Sequence, residues 1–400
     1  MINYPLDLSK KRFTEIPFNI IPKETSWLVL SYNNIEKICD DIKGLRSLER
    51  MAINDNKICE ISCALNELKK LSWLDLTRNN LKSLPDNLFL INLLGLGLSE
   101  NEFEEIPQCI FKFLRLKKFG FFYNKIRYIS PSIQFLINLV KLDLSNNYIE
   151  ELPEEICNLR NLTWLNLSHN KIKKLPDCFN KLNKLEELGL GRNCLESLPN
   201  LDNLTQLRIL SLFGNKLSNF EINSFTIKKI DLSNNLLTLF PNCALKICNL
   251  EMLNLKNNKL KKIKLKKPLL TFIKSIDLSN NLLESIPFKF IKSIDKCNII
   301  NLENNLFKKK EDFFPPVPSL KEICISKCFS LGVKVNVFVK REYVCDFCNN
   351  VFVHKPILVY YRAYLECGDS FVLKEEICKS RCYLGSVRVK NEEFNSYSNK

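Results

Sequence analysis

Along most of the chain leucines and polar residues follow one repeating order, LxxLxLxxNxLxxLP, as in LTWLNLSHNKIKKLP from Leu162 to Pro176. Near-copies flank it, LVKLDLSNNYIEELP before and LEELGLGRNCLESLP after. Aligned on the asparagine, fourteen copies stand in register, at Lys11, Asn33, Asn56, Asn79, Asn101, Asn124, Asn147, Asn170, Asn193, Asn215, Asn235, Asn258, Asn281 and Asn305. Their spacing is 20 to 24 residues and most often 23. In each LxL the two leucines fall on one side of a short strand and the residues beside them on the other, so one side is core. A buried leucine contributes roughly 1.5 to 3 kcal/mol, but a unit this short cannot enclose its own apolar face, and neighbours must stack to bury it. The pattern therefore predicts a solenoid of stacked turns whose short strands form a parallel sheet.

A period of 20 to 29 residues with LxLxxN is the signature of leucine-rich repeats. Residues 1–309 resemble leucine-rich repeat proteins of the intracellular, 23-residue, LPxxI-containing type. The implied fold class is α/β, a horseshoe solenoid with its parallel sheet on the concave side. Asn170 and its equivalents are expected to hydrogen-bond backbone groups of adjacent turns, and the LP pairs, such as Leu152-Pro153 and Leu175-Pro176, to end the strand and begin the convex return. The 20-residue spacing into Asn235 marks a shortened repeat with little convex helix and a local change of curvature. Leu6 to Pro17, with Lys11 in place of asparagine, reads as a degenerate N-terminal cap.

With leucines and asparagines committed to the scaffold, function is sought on the residues that face away from the core. All three tryptophans, Trp27, Trp73 and Trp164, precede the first leucine of LxL and so share one column of the grid. Other rows add Tyr32, Phe122, Tyr123, Phe213 and His169, and the charged Arg50, Arg78, Lys118, Lys141, Glu187 and Arg192. Aromatic and arginine side chains on an open surface have the composition of interface hot spots, so these residues are the candidate partner-binding set. The bland alternative is that each tryptophan packs on its own neighbours. Asp75, Asp143, Asp231 and Asp277 form a second column, read as structural or neutral. Gly95, Gly97, Gly120, Gly189 and Gly191 lower the wall at two places, as seats for a partner's side chains or as drift.

The apolar fraction of 46% excludes global disorder. The longest apolar stretch, Leu88 to Leu98, is 11 residues, short of the roughly 20 a membrane span requires. No basic, apolar leader opens MINYPLDLSKKRF, and the 17 cysteines, mostly at apolar repeat positions, read as reduced thiols. Both observations point to the cytoplasm, with the nucleus as the other compartment. Of the net charge of +15, residues 1–309 carry +12. The lysine run Lys259 to Lys267 reads as a solvated rim, with phosphate or nucleic acid as a disfavoured ligand because no aromatics interleave with it.

The period stops past Asn305. Residues 310–340 carry FFPPVP and an amphipathic segment, PSLKEICISKCFS, placed to cap the open end of the array. Residues 341–384 form a small β-rich module in which Cys345 and Cys348 make a CxxC and Cys378 and Cys382 a CxxxC, the ligand set of a four-cysteine zinc ribbon. His354 and Cys367 are substitute ligands, and zinc is the expected cofactor. Residues 385–400 read as a disordered tail. The module resembles the cysteine-paired extension of some fungal and animal leucine-rich repeat proteins, and with five cysteines and one histidine after residue 340 it departs from the eight-ligand RING finger. Some proteins of that group are substrate receptors of cullin ubiquitin ligases, though no adaptor-binding box is recognisable here.

The chain has two histidines, His169 and His354, and neither a catalytic triad nor a P-loop or GxGxxG. The expected function is therefore a non-enzymatic, monomeric interaction scaffold that holds a protein on its concave face. The alternatives are a regulatory subunit or substrate receptor of a phosphatase or ubiquitin ligase, and a phosphate or nucleic-acid binder on the lysine rim.

Overall fold

The computed structural model describes residues 5–265, 272–287, 290, 293–294 and 297–307, together with the backbone of four later strands. The chain divides into two units, Met1–Leu236 with Ile247–Asn254, and Leu237–Lys246 with Leu255–Lys400.

The first unit is a ladder of short parallel strands that pair in chain order from Leu6–Asp7 and Trp27–Val29 to Lys229–Asp231 and Met252–Asn254. The register repeats without slippage. Leu165 lies beside Leu142 on one side and Leu188 on the other, and Leu165 and Leu167 are both essentially buried. Where the pattern substitutes phenylalanine, Phe119 and Phe121 occupy the leucine positions and stack at 5.3 Å in the core, with Phe103 5.2 Å from Phe121.

From the second strand of the ladder on, the asparagine that the repeat pattern marks follows four residues after the strand's end, as Asn170 follows Trp164–Asn166. Asn170 Nδ2 donates to the carbonyls of Leu144 and Leu167, both at 3.0 Å, while its Oδ1 accepts the Ile149 N–H at 3.0 Å. One amide thus closes its own turn and ties it to the preceding one. The same triad of bonds recurs from Asn33, which joins Leu8, Leu30 and Lys11, through Asn215 and Asn235. The residue before each of these asparagines holds a left-handed backbone, for example Tyr32 at φ 58°, Tyr123 at 50° and His169 at 58°. A second, outer ladder escapes the repeat motif: Asn138 and Asn161 donate to the Leu114 and Ile137 carbonyls of the preceding repeat at 2.7 and 2.9 Å.

The return segments differ from the α-helices that an α/β class suggests. Asp40–Gly44, Cys63–Glu67, Gln108–Lys112, Pro131–Phe135, Glu154–Asn158 and Asp177–Lys181 are 3-10 turns of five residues each. A 3-10 turn rises about 2.0 Å per residue against about 1.5 Å for an α-helix, so a short return covers more length. Pro107, Pro153 and Pro176 stand immediately before three of them, where no backbone N–H is needed. The shortened repeat carries no helical turn between Ser211 and Lys229, as its length predicts.

The cysteines depart from the expectation of reduced core thiols. Cys157 and Cys178 form a disulfide between neighbouring 3-10 turns, with Cα atoms 6.0 Å apart, while Cys59, Cys63 and Cys248 are exposed. Cys109 is buried, and burial pushes its thiol up to about 11.

In the second unit Ser275–Asp277 pairs in parallel with Ile299–Asn301, and Asn281 and Asn305 repeat the ladder bonds. Ile357–Tyr364 pairs antiparallel with Ser370–Ile377, which also pairs in parallel with Ile286–Pro287. Lys259, Lys261, Lys262 and Lys264 are exposed around buried Leu260 and Ile263, the arrangement of a solvated rim. The proposed zinc ligands Cys345, Cys348, Cys378 and Cys382, their substitutes His354 and Cys367, and the capping segment from Pro318 lie outside the described residues.

Candidate interaction face

The first residue of each strand and every second residue after it point away from the leucine core, which lays out columns across the sheet. The first column reads Trp27, Arg50, Trp73, Gly95, Lys118, Lys141, Trp164 and Glu187. The tryptophans therefore do share a column, and Trp73 is 39% exposed. Each also meets a neighbour on that column. Arg50 lies over the Trp27 ring at 5.3 Å, Lys118 over the Trp73 ring at 5.5 Å, and Trp164 Nε1 donates to Glu187 Oε2 at 3.1 Å. The packed and the exposed readings thus both apply: one edge of each ring is held and another faces solvent.

The candidate residues fall into separate groups. Arg78 is engaged by Glu100 at 2.7 Å and Asp55 at 3.5 Å, an ion triad on the surface. Phe122 and Tyr123 stack edge to face at 5.9 Å, with Tyr123 57% exposed. His169 sits edge-on to Phe213 at 6.1 Å, and partial burial together with the adjacent Arg192 charge lowers its pKa.

The glycines separate into two kinds. A side chain at Gly95 would collide with the Trp73 indole, and one at Gly191 with the Phe213 ring, so these two are filled by the protein's own aromatics. Gly97 and Gly120 are neighbours in register between Asp75 and Asp143; a Cβ at Gly97 would meet Asp75 Oδ1 at 2.5 Å and Thr77 Oγ1 at 3.0 Å, and one at Gly120 the Ser99 hydroxyl at 3.1 Å, small polar atoms in place of rings. These two glycines floor a hollow of about 270 Å³. Its upper side is the first column from Trp73 to Trp164, with Lys118 and Lys141 between them, and its lower side is Thr77, Ser99 and Phe122. Asp75 Oδ1 accepts the Thr77 N–H at 3.0 Å, and Asp143 Oδ1 accepts both N–H and hydroxyl of Ser145, at 3.0 and 2.7 Å. Burial raises the Asp143 pKa against the opposing pull of those bonds. Thr77 and Ser99 were absent from the candidate set. Their column is readable from the repeat register, but serine and threonine there carry no compositional signal.

Among the described residues no group of three His, Cys, Asp or Glu side chains could hold a metal ion, and no helix is long and apolar enough to cross a membrane.

Comparison with known proteins accounts for this architecture. The family described as "Leucine-rich repeat region" matches residues 95–239, and "Leucine rich repeat" matches residues 23–81. The chain belongs to the leucine-rich repeat proteins. Among curated relatives, Tsukushi of Xenopus tropicalis is 37% identical over 91 residues, covering 22% of this leucine-rich repeat protein and 26% of Tsukushi. Human lumican is 35% identical over 94 residues, covering 23% and 27%. Fibromodulin of Sus scrofa is 31% identical over 106 residues, covering 26% and 71%. The chain thus spans 26 to 27% of the length of the first of these relatives. Among solved structures, a leucine-rich repeat protein of Leptospira interrogans superposes with a TM-score of 0.68 at 26% identity, covering 83% of each chain. A Drosophila Toll–Spatzle complex gives a TM-score of 0.59 at 23% identity, covering 78% of this chain and 45% of that one, and shares the fold.

These relatives imply a protein-interaction scaffold. They overturn the cytoplasmic expectation, because Tsukushi, lumican and fibromodulin are secreted proteins of the extracellular matrix. The opening residues and the count of thiols were the grounds for that expectation, and the Cys157–Cys178 bond removes the second, since disulfides persist in oxidising compartments.

Proposed function

We propose that this leucine-rich repeat protein holds a partner protein on the strand face of its first unit, with Trp73 and Trp164 as the anchors on either side of the hollow. The observation that carries the reading is that hollow. Two half-exposed indoles stand at the ends of one column, and two side-chain-free positions lie beside it. Tryptophans in a partly desolvated recess are the residues on which interface energy concentrates. The leucine-rich repeat protein Toll, solved with Spatzle, supplies a precedent for a protein ligand on this fold.

The test is capture of partners by wild type and by a Trp73→Ala/Trp164→Ala double variant, after circular dichroism shows that both fold alike. The leucines and ladder asparagines are untouched, so equal folding is expected. Partners lost from the variant alone support the reading, and an unchanged set of partners sinks it.

A further inference from the structure

We propose that the hollow between Trp73 and Trp164 receives an acidic segment of the partner, with one Asp or Glu carboxylate seated between Lys118 and Lys141 and its flanking apolar residues laid over the glycine floor. This rests on the strand face being the interaction face. Its first support is the placement of like charges. Lys118 and Lys141 stand directly beside each other on adjacent strands, an arrangement that repels. Both side chains are exposed, and among the described residues neither has a carboxylate within salt-bridge distance, although the face carries several. Lys118 is instead held over the Trp73 ring. Two exposed lysines on adjacent strands, neither with a carboxylate partner among the described residues, are complementary to an anion that draws their ammonium groups together.

The second support is the state of the two acids across the floor. Asp75 and Asp143 turn their Oδ1 atoms to backbone and hydroxyl donors of their own strand ends, at 2.7 to 3.0 Å. Their charge is partly satisfied within the fold, whereas that of the lysines is not. A cationic ligand would meet exposed ammonium groups on entry and find carboxylates already engaged. The third support is the floor. With hydrogen at Gly120, and only the Ser99 hydroxyl near the position a Cβ would take, the backbone of a visiting segment can approach the sheet closely between the Trp73 and Phe122 rings, which suits apolar side chains on either side of the acid. The excess of +15 on the whole chain favours encounter with an acidic partner.

The experiment uses the full chain and an array of immobilised ten-residue peptides in which a central Asp or Glu, flanked by leucine or phenylalanine, is compared with Asn or Gln and with Lys or Arg in the same frame. Acid-centred peptides are expected to bind, and their amide isosteres to bind about tenfold more weakly, the loss of one charge-assisted hydrogen bond. Lys118→Gln and Lys141→Gln should each cost about tenfold toward the acidic peptides only. Gly120→Leu should block the hollow with the lysines intact, while Arg46→Gln, just past the Asp40–Gly44 turn and off the strand face, should leave peptide binding unchanged. Equal binding of acid and amide peptides would overturn the proposal, as would acid binding indifferent to both lysine variants. Preference for Lys- or Arg-centred peptides would overturn it too, reassigning the hollow to Asp75 and Asp143. If the tryptophan double variant loses its partners while the lysine variants keep theirs, the interaction face stands and the acidic segment falls. Should neither set change anything, both fall together.

Discussion

Asn170 shows how one side chain serves two turns. Its amide satisfies carbonyls of its own and the preceding repeat, and its oxygen receives a buried backbone N–H, all near 3.0 Å. Alanine at this position leaves the Ile149 N–H without its acceptor in a buried site, and leaves the Leu144 and Leu167 carbonyls with only the amides of Asn147 and Asn193. Asn170→Ala is therefore expected to lower the unfolding free energy by about 1 to 3 kcal/mol, read as a shift in the urea midpoint. An unshifted midpoint would show that neighbouring turns hold without it. The ladder positions were legible in the sequence because one residue type recurs at a fixed offset. The left-handed residue before each was legible only in part: Asn146, Asn234, Asn257, Asn280, Asn304 and Gly214 are types that accept that backbone, while Tyr32, Arg78, Glu100, Tyr123 and Arg192 are not. At those five the geometry is imposed by the asparagine bonds that follow, against a cost of roughly 1 to 2 kcal/mol for an ordinary residue.

At the scale of elements, strand and return are governed by different amounts of information. The strand has its leucines, its asparagine and its register, and all three agree. The return has only its length and a proline, so whether it forms an α-helix or a 3-10 turn is decided by how few residues must complete the circuit. The disulfide lay beyond sequence reasoning for a related reason. Cys157 and Cys178 are 21 residues apart, off the common spacing of 23, and meet because one lies late in its turn and the other early. A cross-link closing a loop of this length restricts the unfolded chain by about 3 kcal/mol. Dithiothreitol should accordingly lower the urea midpoint of wild type and leave that of a Cys157→Ser/Cys178→Ser variant where it is. If reduction moves both or neither, the bond does not form in solution. On the strand face, the glycine pair at Gly97 and Gly120 was visible as missing side chains, but not what stands beside each glycine. That depended on the reach of the Trp73 and Phe213 rings across Gly95 and Gly191, and of Asp75 and Thr77 beside Gly97.

Across the repeats, the period settled the architecture, while compartment and partner were left to composition, which describes them poorly. A count of cysteines does not say which pair meets. Nor does net charge say where two lysines stand unopposed, and the pairing of Lys118 with Lys141 required the strand register. The tying of each turn to the one before it through a single amide has a further consequence, for how such a gene can change. The N–H that each ladder asparagine receives comes from 20 to 22 residues upstream across most of the chain and from 18 at Asn235, so the return varies in length while the strand does not. Removal of the 23 residues from Asn147 to His169 should bring Asn170 into the place of Asn147 and restore every ladder bond, with loss of the Cys157–Cys178 disulfide, giving a shorter protein that unfolds cooperatively. One alanine inserted between Leu165 and Asn170 should instead misplace a whole turn and broaden the transition. Inheritance for such a chain runs in units: it can gain or lose complete repeats, and with them whole rows of its binding surface, more safely than it can gain a single residue.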